Sequence, residues 1–342
     1  MAGEKTVSMQ NIADELGISK VTVSKALNGK DGVSEELKEK IYQAAQQKGY
    51  ILPSYGQRKT RKAGIIMSSR FSTLSDSGKF YMGMYEKIIN ELRKISCSGV
   101  MITPDKESIA EDLETIEKKG MFDGLILLGI LDKEVRDRVD AVPLPKVYVD
   151  VYDETHKSDS VVTENIYSTY EMTQYLVQMG HREIGFVGTV GATTSITDRY
   201  LGYKRALIEQ KLPIVAEWEI PDRTMKGEAV EIKLSSTLPG AFICNCDETA
   251  FRLVRALKER GLIVPDDVSV VGFDNDIYAE LCEPRLTTVA VNMEEIGKMV
   301  AKRFAINMEH PLKKEGEIYR VEGRSVFRDS VRDLKGKGKS NI

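Results

Sequence analysis

This 342-residue chain has no long apolar run and no recognisable catalytic motif, and it has little histidine. No stretch approaches the ~18 consecutive apolar residues of a membrane span, so no membrane partner is expected. Met1 to Gln10 lack the apolar core of a signal peptide, and cytoplasmic residence is the expectation. The three histidines, His156, His181 and His310, have no paired spacing. The four cysteines are Cys97, Cys244, Cys246 and Cys282, and Cys244-Asn245-Cys246 does not have zinc-ligand spacing. They read as reduced side chains, with no metal site. Gly188-Thr-Val-Gly191 falls short of a dinucleotide fingerprint, Gly78-Lys79 is not part of a phosphate-binding loop, and no nucleophile elbow occurs. No catalytic residue and no cofactor is expected, and the protein reads as a non-enzyme.

What is present is an ordinary globular balance, 42% hydrophobic and 30% charged, with a net charge of -3. The length suits two or three domains. The charge is unevenly spread. Residues 1–62 hold 11 Lys and Arg against 7 Asp and Glu, whereas the remainder holds 38 against 45. A basic head on an acidic body points to a local contact with a polyanion.

The head reads as three short helices. Ser8 is placed to cap the first, whose apolar face is Met9, Ile12, Ala13 and Leu16. Gly17 ends it, because a helix stop often needs left-handed backbone, and Ile18 is expected to be buried in the turn. Ser19 caps a second helix, Lys20 to Leu27, with Val23, Ala26 and Leu27 inward. Asn28-Gly29 stops it. Val33-Ser34 opens a third, running through Lys48, with Leu37, Ile41, Ala44 and Ala45 inward and Gly49 as its stop. Two helices joined by a short turn and braced by a third fit a helix-turn-helix. Lys20, Val21 and Lys25 lie outside the apolar stripe, where a recognition helix meets base edges. Thr22, Ser24 and Asn28 are short polar groups suited to phosphate oxygens. Spacing alone leaves a generic three-helix bundle with a solvated polar face equally open.

Residues 51–62 contain Pro53, Gly56 and the basic cluster Arg58-Lys59-Thr60-Arg61-Lys62, the punctuation of a linker. Arg58 and Lys59 are expected to track DNA phosphates, a plain solvated linker being the alternative. From Ala63 onward, short apolar strands alternate with amphipathic helices. The strands are expected at Gly64–Met67, Gly99–Ile102, Gly124–Leu128, Lys146–Val149, Glu183–Val187, Gly240–Ile243 and Val268–Val271. Helices are expected near Phe80–Ile95 and Ile109–Lys119. This alternation argues for parallel sheets covered on both faces, with ligands beyond the carboxyl ends of the strands. Three residues combine suitable chemistry with such placement. Asp150 follows the strand ending at Val149, Arg199 follows a Gly/Thr/Ser-rich loop, and Asp274 closes the strand beginning at Val268. Arg and Asp in a fixed array grip vicinal hydroxyls, a structural ion pair being the alternative. Phe71, Phe80, Tyr152 and Tyr278 are aromatics near the expected cleft, suited to stacking on a sugar face or to packing. Trp218 reads as packing or partial exposure.

The run Val7-Ser-Met-Gln-Asn-Ile-Ala-Asp-Glu-Leu-Gly-Ile-Ser-Lys-Val-Thr-Val-Ser-Lys-Ala-Leu-Asn28 resembles the headpiece of the LacI/GalR family of bacterial transcription regulators. Asp123-Gly124-Leu-Ile-Leu, Gly180-His181-Arg-Glu-Ile-Gly-Phe-Val, Arg199-Tyr-Leu-Gly202-Tyr203, Pro265-Asp-Asp-Val-Ser-Val-Val-Gly-Phe-Asp274, Leu286-Thr-Thr-Val and Phe327-Arg-Asp-Ser330 extend the likeness to about Val331. The resemblance implies a helix-turn-helix headpiece followed by an α/β body of the periplasmic-binding-protein type, two parallel-sheet subdomains joined by three crossovers. It implies base contacts from Lys20, Val21 and Lys25, and DNA-backbone contacts from Ser8, Ser19, Thr22, Ser24 and Asn28. It places Ser69, Asp150, Arg199 and Asp274 against an effector. Cys246 stands where the family usually carries an amide that bonds the ligand, an interaction Asn245 could supply only by a shift of backbone, and Asp247 is expected to support a helix start. The linker departs from the family in having no Leu after Pro53.

The expected division is 1–50 for the reader, 51–62 for the linker and 63–331 for an effector-binding and dimerisation domain. Within that domain the first subdomain takes 63–161 and 289–321, and the second takes 162–288 and 322–331. Residues 332–342 read as a basic flexible tail without coiled-coil heptads. Tyr81–Ile95 and Phe251–Arg260 are candidate subunit contacts of a homodimer. The function implied is that of an operator-binding regulator, a repressor, whose DNA affinity responds to a sugar-like effector. Control by a protein corepressor, as in the catabolite-control branch of the family, is the alternative, and a transport binding protein with the same body fold would not carry the head.

Overall fold

The structure, a computed structural model, describes residues 8–27, 32–47, 61–68, 71, 76–104, 109–118, 120–155, 157–309 and 315–336. Asn28, Pro53, Gly56, Arg58, Lys59, Ser69, His156 and His310 lie outside the described residues. The chain divides into two compact units, Met1–Arg61 and Lys62–Ile342.

The first unit holds helices α1 (Met9–Leu16), α2 (Lys20–Leu27) and α3 (Glu35–Gln47). Each start has a local cause. At α1 the Asn11 side chain accepts from both the backbone N–H and the hydroxyl of Ser8 (2.9 and 2.7 Å). The Ser19 hydroxyl accepts from the Thr22 N–H (3.0 Å), and the Ser34 hydroxyl from that of Leu37 (3.4 Å). These bonds occupy donors that a helix start leaves orphaned. Gly17 adopts φ 63°, and its N–H returns to the Ala13 carbonyl. Ile12, Ala13, Val23, Ala26, Leu27, Ile41, Ala44 and Ala45 form a single small core. Ile18, expected inside the turn, is only partly buried against it.

The second unit begins with β1 (Arg61–Met67), α4 (Asp76–Lys94), β2 (Cys97–Ile102), α5 (Ile109–Glu117), β3 (Gly124–Leu128), α6 (Lys133–Ala141), β4 (Lys146–Val149) and β5 (Asp159–Thr163). It continues through α7 (Asn165–Gln178), β6 (Ile184–Val187), α8 (Thr194–Glu209), β7 (Glu219–Ile220), β8 (Ala241–Cys244), α9 (Asp247–Glu259), β9 (Ser269–Val271) and α10 (Ile277–Leu281). The last elements are β10 (Thr288–Ala290), α11 (Met293–Glu309), β11 (Ile318–Val321) and β12 (Arg324–Val326).

Two sheets result. The first has the order β11-β5-β4-β3-β1-β2 and the second β7-β6-β8-β9. β3 pairs in parallel with both β1 and β4, β5 with β4 and β11, and β6 with β7 and β8. The apolar runs of β3 and β6 are buried throughout, as strands covered on both faces must be. On the first sheet, α4 and α11 cover one face through Met84, Ile88, Val300 and Phe304, and α5 and α6 cover the other through Leu113, Ile116, Val135 and Val139. On the second, α7 and α8 pack through Leu176 and Tyr203, and α9 and α10 through Leu253, Leu257 and Ala279.

The chain passes from the first lobe to the second after β5, returns between β10 and α11, and crosses again between β11 and β12, which pairs antiparallel with β10. The tail differs from expectation as far as it is described. Leu334 donates to the Met179 carbonyl, Arg332 donates to the Ser269 hydroxyl, and the His181 ring bonds the Arg332 carbonyl (3.2 Å). Residues 332–336 are therefore a strap on the second lobe, and buried His181 anchors it. Trp218 is buried, with its indole N–H on the Thr237 carbonyl (3.2 Å).

Candidate functional site

A solvent-open cleft lies where loops leave the carboxyl ends of six strands, two of the first sheet and four of the second, as parallel α/β topology requires. The first lobe supplies Phe71 after β1, Phe80 and Tyr81 from α4, and Asp150 after β4. The second supplies Thr193 and Ser195 after β6, Arg199 from α8, Arg223 after β7, Cys246 after β8 and Asp274 after β9. Four residues singled out from sequence thus meet in one place: Asp150, Arg199, Cys246 and Asp274.

Arg199 is 5% exposed and fully oriented. Its Nε donates to Asn165 Oδ1 (2.9 Å), its Nη1 to the Asn245 carbonyl and its Nη2 to Asp274 Oδ1 (3.1 Å). The guanidinium lies 3.7 Å from the centre of the Phe273 ring. The planar fork is held in one orientation by hydrogen bonds at its edge and an aromatic face beneath. Burial holds the Asp274 carboxyl above its ordinary range, and attraction to Arg199 offsets part of that effect.

Asp150 and Asp274 have positive φ, 58° and 101°. Such conformations cost about 1–3 kcal/mol each for residues other than glycine and concentrate at functional sites. The Asp150 carboxylate accepts from the Tyr81 hydroxyl (2.7 Å). Burial pushes its pKa up to about 6, against that hydrogen bond and the attraction of Arg199. Phe71 packs on the same tyrosine, ring centres 4.2 Å apart.

Arg223 and Asp222 did not stand out in the sequence. Asp222 is fully buried and accepts from the Thr189 N–H (2.9 Å), the Asn245 amide (2.8 Å) and the Thr249 hydroxyl (2.8 Å). Its pair with Arg223 spans 2.7 Å. Burial would raise its pKa, but Arg223 and these hydrogen bonds together hold it below the usual carboxylate range. The hub turns the Arg223 guanidinium toward the cleft. Asn245 spends its amide on it and does not stand in for the missing amide at position 246. Cys246 instead meets Arg223 (3.6 Å) and Thr249 (3.3 Å), and burial pushes its thiol up to about 12.

Other expectations are revised. Asp247 does more than support the start of α9. Its buried carboxylate accepts from the Thr288 hydroxyl (2.6 Å) and the Asp276 N–H (3.0 Å), joining α9 to β10 and to the loop before α10. Of the four candidate aromatics, Phe71 and Phe80 line the cleft. Tyr152 bonds Asp198 (2.5 Å), and Tyr278 packs on Phe251.

In the head, Lys20, Val21 and Lys25 project from the exposed side of α2, and Val21, an apolar side chain, is 64% exposed. Ser8, Ser19, Thr22 and Ser24 lie on the described part of the same unit. The Ser19 and Thr22 hydroxyls bond each other (2.8 Å) at the start of α2.

A helix-turn-helix reader in one unit and a two-lobed α/β body in the other define a class, the DNA-binding transcription regulators. Residues 8–53 match the family described as bacterial regulatory proteins, lacI family, and residues 173–331 match the periplasmic binding protein-like domain. The chain belongs to the LacI family of bacterial regulatory proteins. It is 29% identical over 340 residues to the HTH-type transcriptional regulator RegA of Clostridium saccharobutylicum, covering 95% of this chain and 99% of that one. A transcriptional regulator CelR-cellobiose complex matches with a TM-score of 0.67 at 22% identity, covering 95% of this chain and 99% of that one. The lac repressor dimer bound to operator and the anti-inducer ONPF matches with a TM-score of 0.63 at 22% identity, covering 96% and 100%. No helix among the described residues is long and apolar enough to cross a membrane.

Proposed function

We propose that this protein is an operator-binding repressor whose affinity for DNA is set by a sugar-like effector in the cleft of its body. The observation that carries this reading is the cleft itself: Asp150 comes from one lobe, Arg199 and Asp274 from the other, and all three line a single solvent-open space. Carboxylates accept from vicinal hydroxyls, the guanidinium edge donates to them, and Phe71 and Phe80 offer an apolar face to a pyranose or furanose ring. Cys246 contributes shape more than hydrogen bonding. Ser69, outside the described residues, is assigned to the same ligand.

On DNA, Lys20, Val21 and Lys25 contact base edges in the major groove. Ser8, Ser19, Thr22 and Ser24 contact phosphates, joined by Asn28, Arg58 and Lys59 from outside the described residues. The protein acts as a homodimer on a two-fold operator. An effector touching both lobes favours one lobe orientation, and a coupling of about 1–3 kcal/mol changes operator affinity by roughly 5–150-fold. The presence of cleft-lining Arg199 and Asp274 favours a metabolite over a protein corepressor.

The test is calorimetry with ribose, glucose, galactose and cellobiose on the intact protein and on Asp274→Ala. Binding of at least one sugar, weakened at least tenfold by the substitution, is expected. Undiminished binding by the variant places the ligand elsewhere, and binding that leaves operator affinity unchanged removes the switch.

A further inference from the structure

We propose that the cleft selects its effector by charge, admitting neutral saccharides and amino sugars and excluding sugar phosphates and uronates. This rests on the cleft being the effector site. Among the described residues, its lining carries Asp150, Glu248, Asp274 and Asp276 against Arg199 and Arg223.

Neither guanidinium is a surplus charge. Arg199 is paired with Asp274 at 3.1 Å and Arg223 with fully buried Asp222 at 2.7 Å. Both remain hydrogen-bond donors to a hydroxyl, but each positive charge is already matched by a carboxylate of its own lobe. Asp150 has no such cation as a hydrogen-bond partner among the described residues. Its hydrogen bond comes from Tyr81, a neutral phenol, and so does that of neighbouring Asp198, from Tyr152. Arg320, which attracts Asp198, is paired with Glu164 (3.7 Å), and Arg199, which attracts both aspartates, is paired with Asp274. A phenol satisfies a lone pair without cancelling the charge, so the space beside Asp150 keeps a negative field.

Burial lifts Asp150, Asp198 and Asp274, and Asp150 is lifted further by the other two. At an effective dielectric of about 20, a second negative charge roughly 5 Å from Asp150 is disfavoured by about 100-fold or more. An ammonium in the same place is favoured.

A series matched in ring shape separates charge from shape: glucose, glucosamine and glucuronate, and galactose, galactosamine and galacturonate, with ribose beside the larger ribose 5-phosphate. Calorimetry on the intact protein is expected to show each anion bound at least 100-fold more weakly than its neutral parent and each amine bound as tightly or more tightly. Asp150→Asn keeps the hydrogen bond, and Asn tolerates the left-handed backbone. It is expected to recover about tenfold of the anion's deficit. Asp198→Asn, which leaves Asp150 and Tyr81 in place, shifts the ratio in the same direction and serves if the first variant does not fold. An anion that binds as tightly as its parent overturns the proposal, as does a neutral-to-anion ratio unchanged in both variants. If no sugar of either kind binds the unsubstituted protein, the effector reading falls, and this inference with it.

Discussion

Asp150 shows what a place in the cleft costs the fold. Its φ of 58° stores backbone strain, and burial pushes its carboxyl up to about 6 from the ordinary 3.8. A carboxyl whose pKa is raised by folding stabilises the native state only while protonated. That contribution is complete below about pH 4 and is gone once the pH passes about 6, so at neutral pH the ionised group is a burden. A rise of this size corresponds to about 3 kcal/mol at most. Asp150→Asn is therefore expected to raise the melting temperature of the body by several degrees at pH 7.5, and by clearly less at pH 5. Scanning calorimetry at the two values checks this, and equal shifts would mean that the carboxyl's charge is not the source. Arg199 behaves in the opposite way. Arg199→Ala leaves Asp274 buried beside an emptied space and is expected to cost about 3–5 kcal/mol, read from denaturant midpoints.

Between elements, α7 and α8 meet at Gly202. A Cβ there would collide with the Ile166 carbonyl oxygen, and backbone cannot swing aside as a long side chain can. Gly202→Ala is expected to destabilise the second lobe by about 3 kcal/mol and to weaken effector binding, since α8 carries Arg199. Urea unfolding followed by circular dichroism measures the first effect. In the head, the helix starts were legible because their causes are local: Ser8, Ser19 and Ser34 act within three residues of themselves. The Asp222–Arg223 hub was not legible. Asp222 binds Thr189, 33 residues back, and Asn245 and Thr249, 23 and 27 residues ahead. No periodicity connects positions so separated, and a short strand followed by a polar loop gives an individual Arg no distinguishing mark. The strap at 332–336 was misread for a related reason. Gly and Lys suggest a loose end, whereas its backbone bonds to Met179 and Ser269 depend on where the second lobe puts those residues.

At the scale of the molecule, two compact units divide at Arg61 and Lys62. The fragment 62–342 is expected to keep saccharide binding and lose operator binding, checked by calorimetry and gel shift on the same preparation. The intact protein's operator affinity is expected to fall about a thousandfold between 50 and 200 mM salt, the loss for roughly six phosphate contacts in a dimer. Lys25→Ala should flatten base preference while leaving most of that salt slope in place. A variant with an unchanged preference profile would remove Lys25 from the base-reading set.

The sequence by itself determined the three short helices of the head, the alternation of buried strands with helices, and the placement of Asp150, Arg199 and Asp274 near strand ends. All of these are consequences of local propensity, hydrophobic period and neighbouring caps. Tertiary structure alone decided that these three residues share one cleft, that Asn245 is spent on a buried hub, and that Arg223 faces that cleft. It also decided that both guanidiniums there are already neutralised. Charge balance in a cleft depends on which loops converge from different strands, and convergence is fixed by the packing of whole sheets rather than by any stretch of neighbouring residues.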